Sequence, residues 1–379
     1  MQILISAAES QTQIFLIILA LLLLFSVRRR ENPVFDLRVT NEIKGLAILM
    51  VIFAHVGYIL VSDNRFLFPI SVGGGIGVNL FLFLSGYGMS VSAIRKQLSI
   101  FDFYKKKITN LSIPVCLILT IFLLMDITLL NRGYSFTEIW HSFIGYYPIA
   151  NPIYNINSPL WFITPILFYY LIYPLIFNKK YLFLSGTLLM GVSYFFLFNE
   201  GVINFLTSHD IFKRDVLTLY RTHYIAFPLG LIVADLATNK TAPKMIWNFL
   251  SKIISKNKIV SGLLSYLALF GSAYIAWYTA IYSGVGKGDI VEQNISLISC
   301  AAILYLFIFN KIRFGILGIF GLYSFEIYLI HWPILSRFDI FYKILPPAFA
   351  TTCYLVFFLL LGFMLDKLTN FISNRVFKV

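Results

Sequence analysis

Charged side chains are scarce in this 379-residue chain: only 12% of the residues are Asp, Glu, Lys or Arg, while 59% are hydrophobic. A soluble globular protein carries about 25% charged and roughly 45–50% apolar residues. Half the usual share of charges is too little to cover the surface of a soluble protein of this length. The composition excludes a cytosolic enzyme, a disordered chain and a secreted disulfide scaffold, and it favours an integral membrane protein.

Cysteine and acidic residues are also few. The three cysteines, Cys116, Cys300 and Cys353, lie in apolar runs, so we expect packing roles, with no disulfide framework and no metal site. The 17 acidic residues stand against 30 basic ones, a net charge of +13. Such a balance can indicate nucleic acid binding. In a membrane protein, basic cytoplasmic loops explain it better, and we expect no nucleic acid partner.

Long hydrophobic runs predict about eleven transmembrane helices, because about 20 apolar residues cross a bilayer. The predicted spans are 12–27, 43–61, 75–94, 111–130, 159–178, 181–198, 219–238, 259–282, 292–310, 314–334 and 347–368. Arg28, Arg29 and Arg30 follow the short first span directly, which favours an uncleaved anchor with its N-terminus outside. Most of the 30 lysines and arginines fall in loops on one side, which the positive-inside rule assigns to the cytoplasm together with the C-terminus.

The second predicted span carries two ionisable side chains on one helix face. His55 follows Lys44 by eleven residues, about 16 Å along an α-helix, and eleven steps of about 100° return nearly to the same face. Ionisable residues within a span are costly and functional by default. The two side chains would form one wall of a channel. The alternative is a lysine that snorkels to the surface and a histidine hydrogen-bonded in the bundle.

Two further spans contain polar side chains that need an explanation. In the tenth span, Ser324, Tyr328 and His331 share one face, where His331 would either serve the site or anchor the helix at the membrane interface. The third span begins with a glycine-rich stretch and contains Asn79 and Ser85, whose polar groups require partners in the bundle.

Two shorter motifs flank other spans. The fifth span begins Ser158-Pro159-Leu160-Trp161, and its prolines predict kinks that either line a cavity or only serve packing. The run Lys105-Lys106-Lys107 precedes the fourth span. It is either ordinary positive-inside charge or a phosphate-binding patch at the cytoplasmic mouth.

Together these motifs resemble the acyltransferase-3 family of membrane acyltransferases, over about residues 36–370. That family has an arginine or lysine, ten residues and then a histidine, as from Lys44 to His55. Three further family elements are matched in order. Residues 77–86 match Gly-Val-x-Leu-Phe-Phe-x-Leu-Ser-Gly, residues 160–162 match Leu-Trp-Phe, and residues 323–333 match Tyr-Ser-x-x-Ile-Tyr-Leu-x-His-x-Pro. One departure is Leu111, which stands where the family often has an arginine, so that the lysines just upstream would substitute for it.

The resemblance implies an all-α polytopic membrane protein, with a ten-helix acyltransferase domain at 35–379 behind an N-terminal transmembrane anchor at 1–34. It implies transfer of an acyl group, commonly acetyl, from cytoplasmic acyl-CoA to a hydroxyl of a cell-surface glycan or lipid-linked glycan. The setting would be the bacterial cytoplasmic (inner) membrane and the outcome O-acetylation of envelope polysaccharide. The partners are then acetyl-CoA or another acyl-CoA as donor, the glycan acceptor and membrane lipid, with no metal.

The implied reaction assigns roles to particular side chains. The phosphates of CoA would be held by Lys44, Lys105, Lys106 and Lys107. The extended pantetheine arm is comparable in length to the Lys44–His55 separation, so the thioester would reach His55. That histidine would act as general base on the acceptor hydroxyl or take the acyl group itself. The acceptor or the thioester oxygen would be positioned by Asn79, Ser85, Trp161, Tyr328 and His331.

Two other functions remain open from the residues. A secondary transporter or glycan flippase would use His55 as a proton-relay or substrate residue. The transporter alternative explains less readily why Lys44 lies on the same helix face as His55, at a separation comparable to the length of the pantetheine arm of CoA. A non-catalytic scaffold or sensor is disfavoured by the buried polar groups.

Overall fold

Helices make up nearly all of the computed structural model, which describes residues 3–29, 35–96, 99–149, 155–238, 258–282, 290–309 and 312–377. In chain order the α-helices are α1 (Ala8–Phe25), α2 (Leu37–Ala54), α3 (Gly74–Arg95), α4 (Ile100–Leu130), α5 (Phe136–Ile144), α6 (Ile163–Ile176), α7 (Leu182–Phe198), α8 (Glu200–Ser208), α9 (Arg214–Arg221), α10 (Ala226–Thr238), α11 (Lys258–Tyr282), α12 (Ile290–Phe309), α13 (Gly315–Leu322), α14 (Ser324–Ser336), α15 (Phe341–Ile344) and α16 (Pro347–Phe377). A π-helix (His55–Leu60) continues α2, and 3₁₀ turns occupy Ile70–Val72 and Ser158–Phe162. Strands β1 (Val27–Arg29) and β2 (Ile312–Phe314) pair antiparallel.

The architecture is an all-α polytopic membrane protein, as predicted. Eight described helices or helix runs are long and apolar enough to cross a membrane, and ten when α7–α8 and α13–α14 each count as one bent span. The predicted span at 259–282 coincides with α11.

The fourth span begins earlier than predicted. Ser99 caps α4, since its Oγ accepts a hydrogen bond from the backbone N–H of Asp102 at 3.1 Å. This cap starts the helix at Ile100, so the lysine run at 105–107 lies on the early turns of α4 and not in a loop before it.

The predicted tenth span, 314–334, is two helices that meet at 77°. Tyr323 leaves the helical conformation between them, and the Ser324 hydroxyl donates to the carbonyl oxygen of Gly321 at 3.0 Å. A hydrophobic run shows that a segment is apolar, but it does not show a break in the helix.

Close helix packing fixes the position of α2. A methyl group at Gly45 would overlap the carbonyl oxygen of Leu317 on α13, and one at Gly321 would overlap that of Asn41 on α2. The backbones of α2 and α13 therefore touch, which only glycine permits at these two positions.

The N-terminal segment packs on the rest of the protein. The Ile3 N–H donates to the Leu60 carbonyl at 2.7 Å, and the Ser62 N–H donates to the Ile3 carbonyl at 2.9 Å. The Phe15 ring meets the Phe53 ring edge-on at 5.4 Å. Residues 30–34 lie outside the described residues, so the division of the chain at residue 34 stays a prediction.

The glycine contacts predict a stability difference. Gly45→Ala should lower the thermal stability of the detergent-solubilised protein, because overpacking typically costs about 1–3 kcal/mol. Gly191→Ala on α7 is the matched control, since nothing lies within 4 Å of its added methyl group. Unfolding followed by tryptophan fluorescence checks this, and equal midpoints for the two variants would contradict the close α2–α13 contact.

Candidate functional site

His55 lies where α2 changes from α-helix to π-helix. Single turns of π-helix occur frequently at functional sites. The His55 ring stacks on the ring of His331 with centroids 5.0 Å apart and planes 15° apart, and it meets Trp332 edge-on at 5.0 Å. The sequence alone also allowed His331 to be an interfacial anchor. That alternative is wrong, because His331 is fully buried against His55.

The hydrogen bonds of His331 fix the tautomer of both neutral rings. Its Nδ1 lies 2.8 Å from the Tyr328 carbonyl oxygen, and a carbonyl can only accept, so Nδ1 carries the proton. The His331 Nε2 must then accept from the Nδ1–H of His55, 2.7 Å away. This leaves a lone pair on the His55 Nε2, the form of imidazole that acts as a base or a nucleophile.

A proline and an asparagine hold α14 in place around His331. Pro333 has no N–H, which frees the carbonyl of Leu329 within the helix. The side-chain amide of Asn157 donates to that carbonyl at 2.7 Å, and the Tyr328 hydroxyl donates to the carbonyl of Pro159. The 3₁₀ turn Ser158–Phe162 is thereby tied to α14.

A cavity of about 530 Å³, here called the His55 cavity, opens beside this histidine pair. Aromatic rings contribute much of its wall, among them Trp161, Tyr328 and Trp332. Its charged lining residues, among those the structure describes, are the carboxylates Asp215 and Glu292. The cavity thus offers aromatic faces and hydrogen-bond acceptors, and its described wall contains no lysine or arginine.

A second histidine of the cavity, His223, was missed by sequence analysis. Its Nδ1 is 2.9 Å from the Asn79 side-chain oxygen, and the Asn79 amide donates to the Ser296 hydroxyl at 2.8 Å. The His223 ring stacks on Trp161 with centroids 5.6 Å apart. His223 belongs to no recognised motif, but the rule that intramembrane ionisable residues are functional by default would have flagged it within the predicted span 219–238.

His223 lies in a non-helical turn, residues 222–225, between α9 and α10. The exposed backbone groups of this turn have side-chain partners. The Gln293 amide, oriented to donate to the Arg221 carbonyl at 2.8 Å, accepts from the Ile225 N–H at 3.3 Å. The Tyr169 hydroxyl donates to the Tyr224 carbonyl at 2.9 Å. Irregular backbone at membrane depth is tolerated in this way where it lines a cavity.

A separate cavity of about 350 Å³, the Lys44 cavity, is lined by Lys44, Ser85, Lys107, Tyr170 and Ser324 among others. The Lys107 ammonium lies over the Tyr170 ring, 5.3 Å from its centroid. Lys44 also interacts electrostatically with Glu326 of α14. Of the three lysines at 105–107, the structure brings only Lys107 to Lys44, whereas Lys105 and Lys106 are exposed.

The two cavities meet along α2. Val51, Val78 and Tyr328 line both of them. Lys44, Val51 and His55 follow one another along one face of α2, so the cavities lie end to end with a shared apolar wall. Two residues predicted to position the acceptor, Asn79 and His331, line neither cavity. They instead form hydrogen bonds with His223 and His55, respectively, which do line the His55 cavity.

These helices define an integral membrane protein. The chain belongs to the acyltransferase-3 family, whose acyltransferase domain matches residues 41–367. No curated protein and no solved structure matches the chain. The protein is therefore a membrane acyltransferase, and family membership favours acyl transfer over the transporter, flippase and scaffold alternatives. Among the described residues, no group of three His, Cys, Asp or Glu side chains is placed to hold a metal ion.

The hydrogen bonds predict the proton positions on the histidines. Solid-state ¹⁵N spectra of histidine-labelled protein at neutral pH should show His55 and His331 with the proton on Nδ1. In His331→Phe, His55 should lose this fixed tautomer, because its Nδ1–H no longer has an acceptor. His209→Gln, which changes an exposed ring outside both cavities, is the control. A proton on the His55 Nε2 in the unmodified protein would contradict the assignment.

Proposed function

We propose that the protein transfers an acyl group, acetyl in the simplest case, from cytoplasmic acyl-CoA to a hydroxyl of a cell-surface glycan or glycolipid. The observation that supports this most is the end-to-end arrangement of the two cavities along α2. A pair of lysines lines one cavity, and the unprotonated nitrogen of His55 belongs to the other.

The Lys44 cavity suits the donor. Ammonium groups form charge-assisted hydrogen bonds to phosphate, and Lys44 and Lys107 line the same cavity as the hydroxyl-bearing side chains of Ser85 and Tyr170. The eleven residues from Lys44 to His55 span about 16 Å, comparable to the pantetheine arm. A CoA molecule held by its phosphates at the lysines would thus direct its thioester toward His55.

The His55 cavity suits a neutral, hydroxyl-rich acceptor. Carboxylate oxygens accept hydrogen bonds from hydroxyl groups, and Asp215 and Glu292 supply them. The aromatic walls offer flat apolar faces of the kind that pack against a sugar ring. A phosphorylated or otherwise anionic acceptor would meet only like charge from these two side chains.

His55 supplies the reactive nitrogen, and His331 positions it. The His55 Nε2 either removes the proton of the acceptor hydroxyl as that oxygen attacks the thioester carbon, or it attacks the thioester carbon itself. In both routes the carbon–sulfur bond breaks, an ester forms on the acceptor, and the CoA sulfur leaves as the thiol with the acceptor's proton.

His55→Ala should lower acetyl transfer by a factor of about 10²–10⁴, because a positioned base or nucleophile is lost. Lys44→Ala should mainly raise the KM for acetyl-CoA, because it removes a contact to the donor. The assay incubates purified protein with labelled acetyl-CoA and washed cell envelopes of the source organism, and measures both CoA release and label on glycan.

Lys180→Ala is the matched control for the lysine variant, since Lys180 is exposed and lines neither cavity. It should leave KM unchanged. Acetyl-CoA turnover that is the same in His55→Ala as in the unmodified protein would rule out the proposed role of His55.

The proposed orientation places the Lys44 cavity and the C-terminus in the cytoplasm of the inner membrane, and the N-terminus outside. The support is the excess of lysine and arginine in loops on that side. Reporter tags fused at residues 1 and 379 should therefore be labelled from opposite sides of intact cells. Labelling of both from the cytoplasmic side would mean that α1 does not cross.

A further inference from the structure

We propose that His223 is a second catalytic base, which removes the proton of the acceptor hydroxyl, while the His55 Nε2 takes the acyl group from the thioester. This inference rests on the proposed function and divides its chemistry between two imidazoles. It assigns a catalytic role to a residue outside the motifs that indicated the family.

The first support is the shared cavity. His55 and His223 both line the His55 cavity, one from the end of α2 and the other from the turn between α9 and α10. The glycine pair at the start of α3, Gly74 and Gly75, lies close to the segments that carry the two histidines. A methyl group at Gly74 would come 2.7 Å from the Ala54 side chain beside His55, and one at Gly75 would come 3.8 Å from the His223 ring. The absence of a side chain at Gly75 leaves space beside the His223 ring, and Gly74 lets the start of α3 pack against Ala54.

The second support is that both rings are held in the same way. The His223 Nδ1–H donates to the Asn79 side-chain oxygen, as the His55 Nδ1–H donates to His331. Each ring therefore keeps an unprotonated Nε2 that the hydrogen bonds of the described residues do not use. Because both rings line one cavity, a ligand or water bound there can supply the partner of each Nε2.

The third support is chemical necessity. Once the His55 Nε2 carries an acyl group, it can no longer accept a proton, and the His55 Nδ1 is engaged by His331. The second step then requires another base on the acceptor side. The carboxylates of Asp215 and Glu292 also line the cavity. We assign the step to His223 because Asn79 holds its Nδ1–H, which leaves the Nε2 to accept the hydroxyl proton.

The proposed sequence balances without any further reactant. In the first step the His55 Nε2 attacks the thioester carbon and the carbon–sulfur bond breaks. The CoA sulfur leaves as the thiolate and takes a proton from water, while the acylated His55 ring keeps its Nδ1 proton, donated to His331. In the second step the His223 Nε2 takes the hydroxyl proton, the acceptor oxygen attacks the acyl carbon, and the carbon–nitrogen bond to His55 breaks. His223 then gives this proton to solvent, which replaces the one taken by the leaving sulfur, and His55 is left neutral with an unprotonated Nε2.

The test separates the two steps by single-turnover kinetics. Purified protein is mixed with labelled acetyl-CoA alone, and after rapid quenching the released CoA and the label retained on protein are measured. Water is present in every assay as the smallest hydroxyl acceptor, so discharge is measurable without a known glycan. The substitution is His223→Asn, because the asparagine amide can still donate to Asn79 in place of the ring Nδ1–H.

His223→Asn should release CoA in the first turnover within about twofold of the unmodified protein, while discharge slows by a factor of about 10²–10⁴. Label on the protein should therefore rise above that of the unmodified enzyme, which a merely misfolded variant would not show. Asn79→Leu, which removes the acceptor of the His223 Nδ1–H, should also slow discharge selectively. His209→Asn, an exposed histidine outside the cavities, should change neither step.

Three results would overturn the inference. The first is that His223→Asn slows CoA release and discharge equally, and the second is that it changes neither. The third is that the unmodified protein releases CoA in the first turnover only when an acceptor is added. Failure of the proposed function itself looks different, since the unmodified protein would then release no CoA even with cell envelopes present.

Discussion

The hydrogen bond from the His55 Nδ1–H to the His331 Nε2 is the constraint on which the site depends. A length of 2.7 Å requires α2 and α14 to keep one fixed separation and rotation. The glycine contacts between α2 and α13 set the position of α2. The chain then bends by 77° between α13 and α14, which sets the direction of α14. Packing in the core thus decides which nitrogen of His55 carries the proton, and hence which nitrogen keeps a lone pair.

The site is built from interruptions of regular helix, and at two of them a buried side chain satisfies the backbone group that the interruption leaves free. Pro333 frees a carbonyl that Asn157 satisfies, and the turn before α10 relies on Gln293 and Tyr169. Continuous helices in close contact would leave no room for substrates in a bundle of this kind. The irregular backbone therefore creates the space, and the buried amides and hydroxyls prevent the cost that unsatisfied polar groups have in a membrane.

Hydrophobicity and helical spacing predicted the helical membrane architecture and placed Lys44 and His55 on one face of one helix, because both signals are local. Local signals could not find the bend at Tyr323, which arises where α13 packs on another helix. Nor could they pair His55 with His331, or His223 with Asn79, since these contacts join segments far apart in the chain. The lysine run was misplaced because the Ser99 cap extends α4 beyond its apolar part.

The wall shared by the two cavities explains how donor and acceptor can remain on opposite sides under the proposed function. Val51 and Val78 are apolar, and the hydroxyl of Tyr328 is already bonded to the Pro159 carbonyl, so the wall presents no free polar group. A charged CoA phosphate or a hydrated ion would lose its solvation there at high cost. The thioester end of the CoA arm is uncharged, so under the proposed function it passes this wall at lower cost than the phosphates. The proposed function therefore requires only the uncharged end of the donor to cross the apolar wall, while the phosphates stay at the lysines.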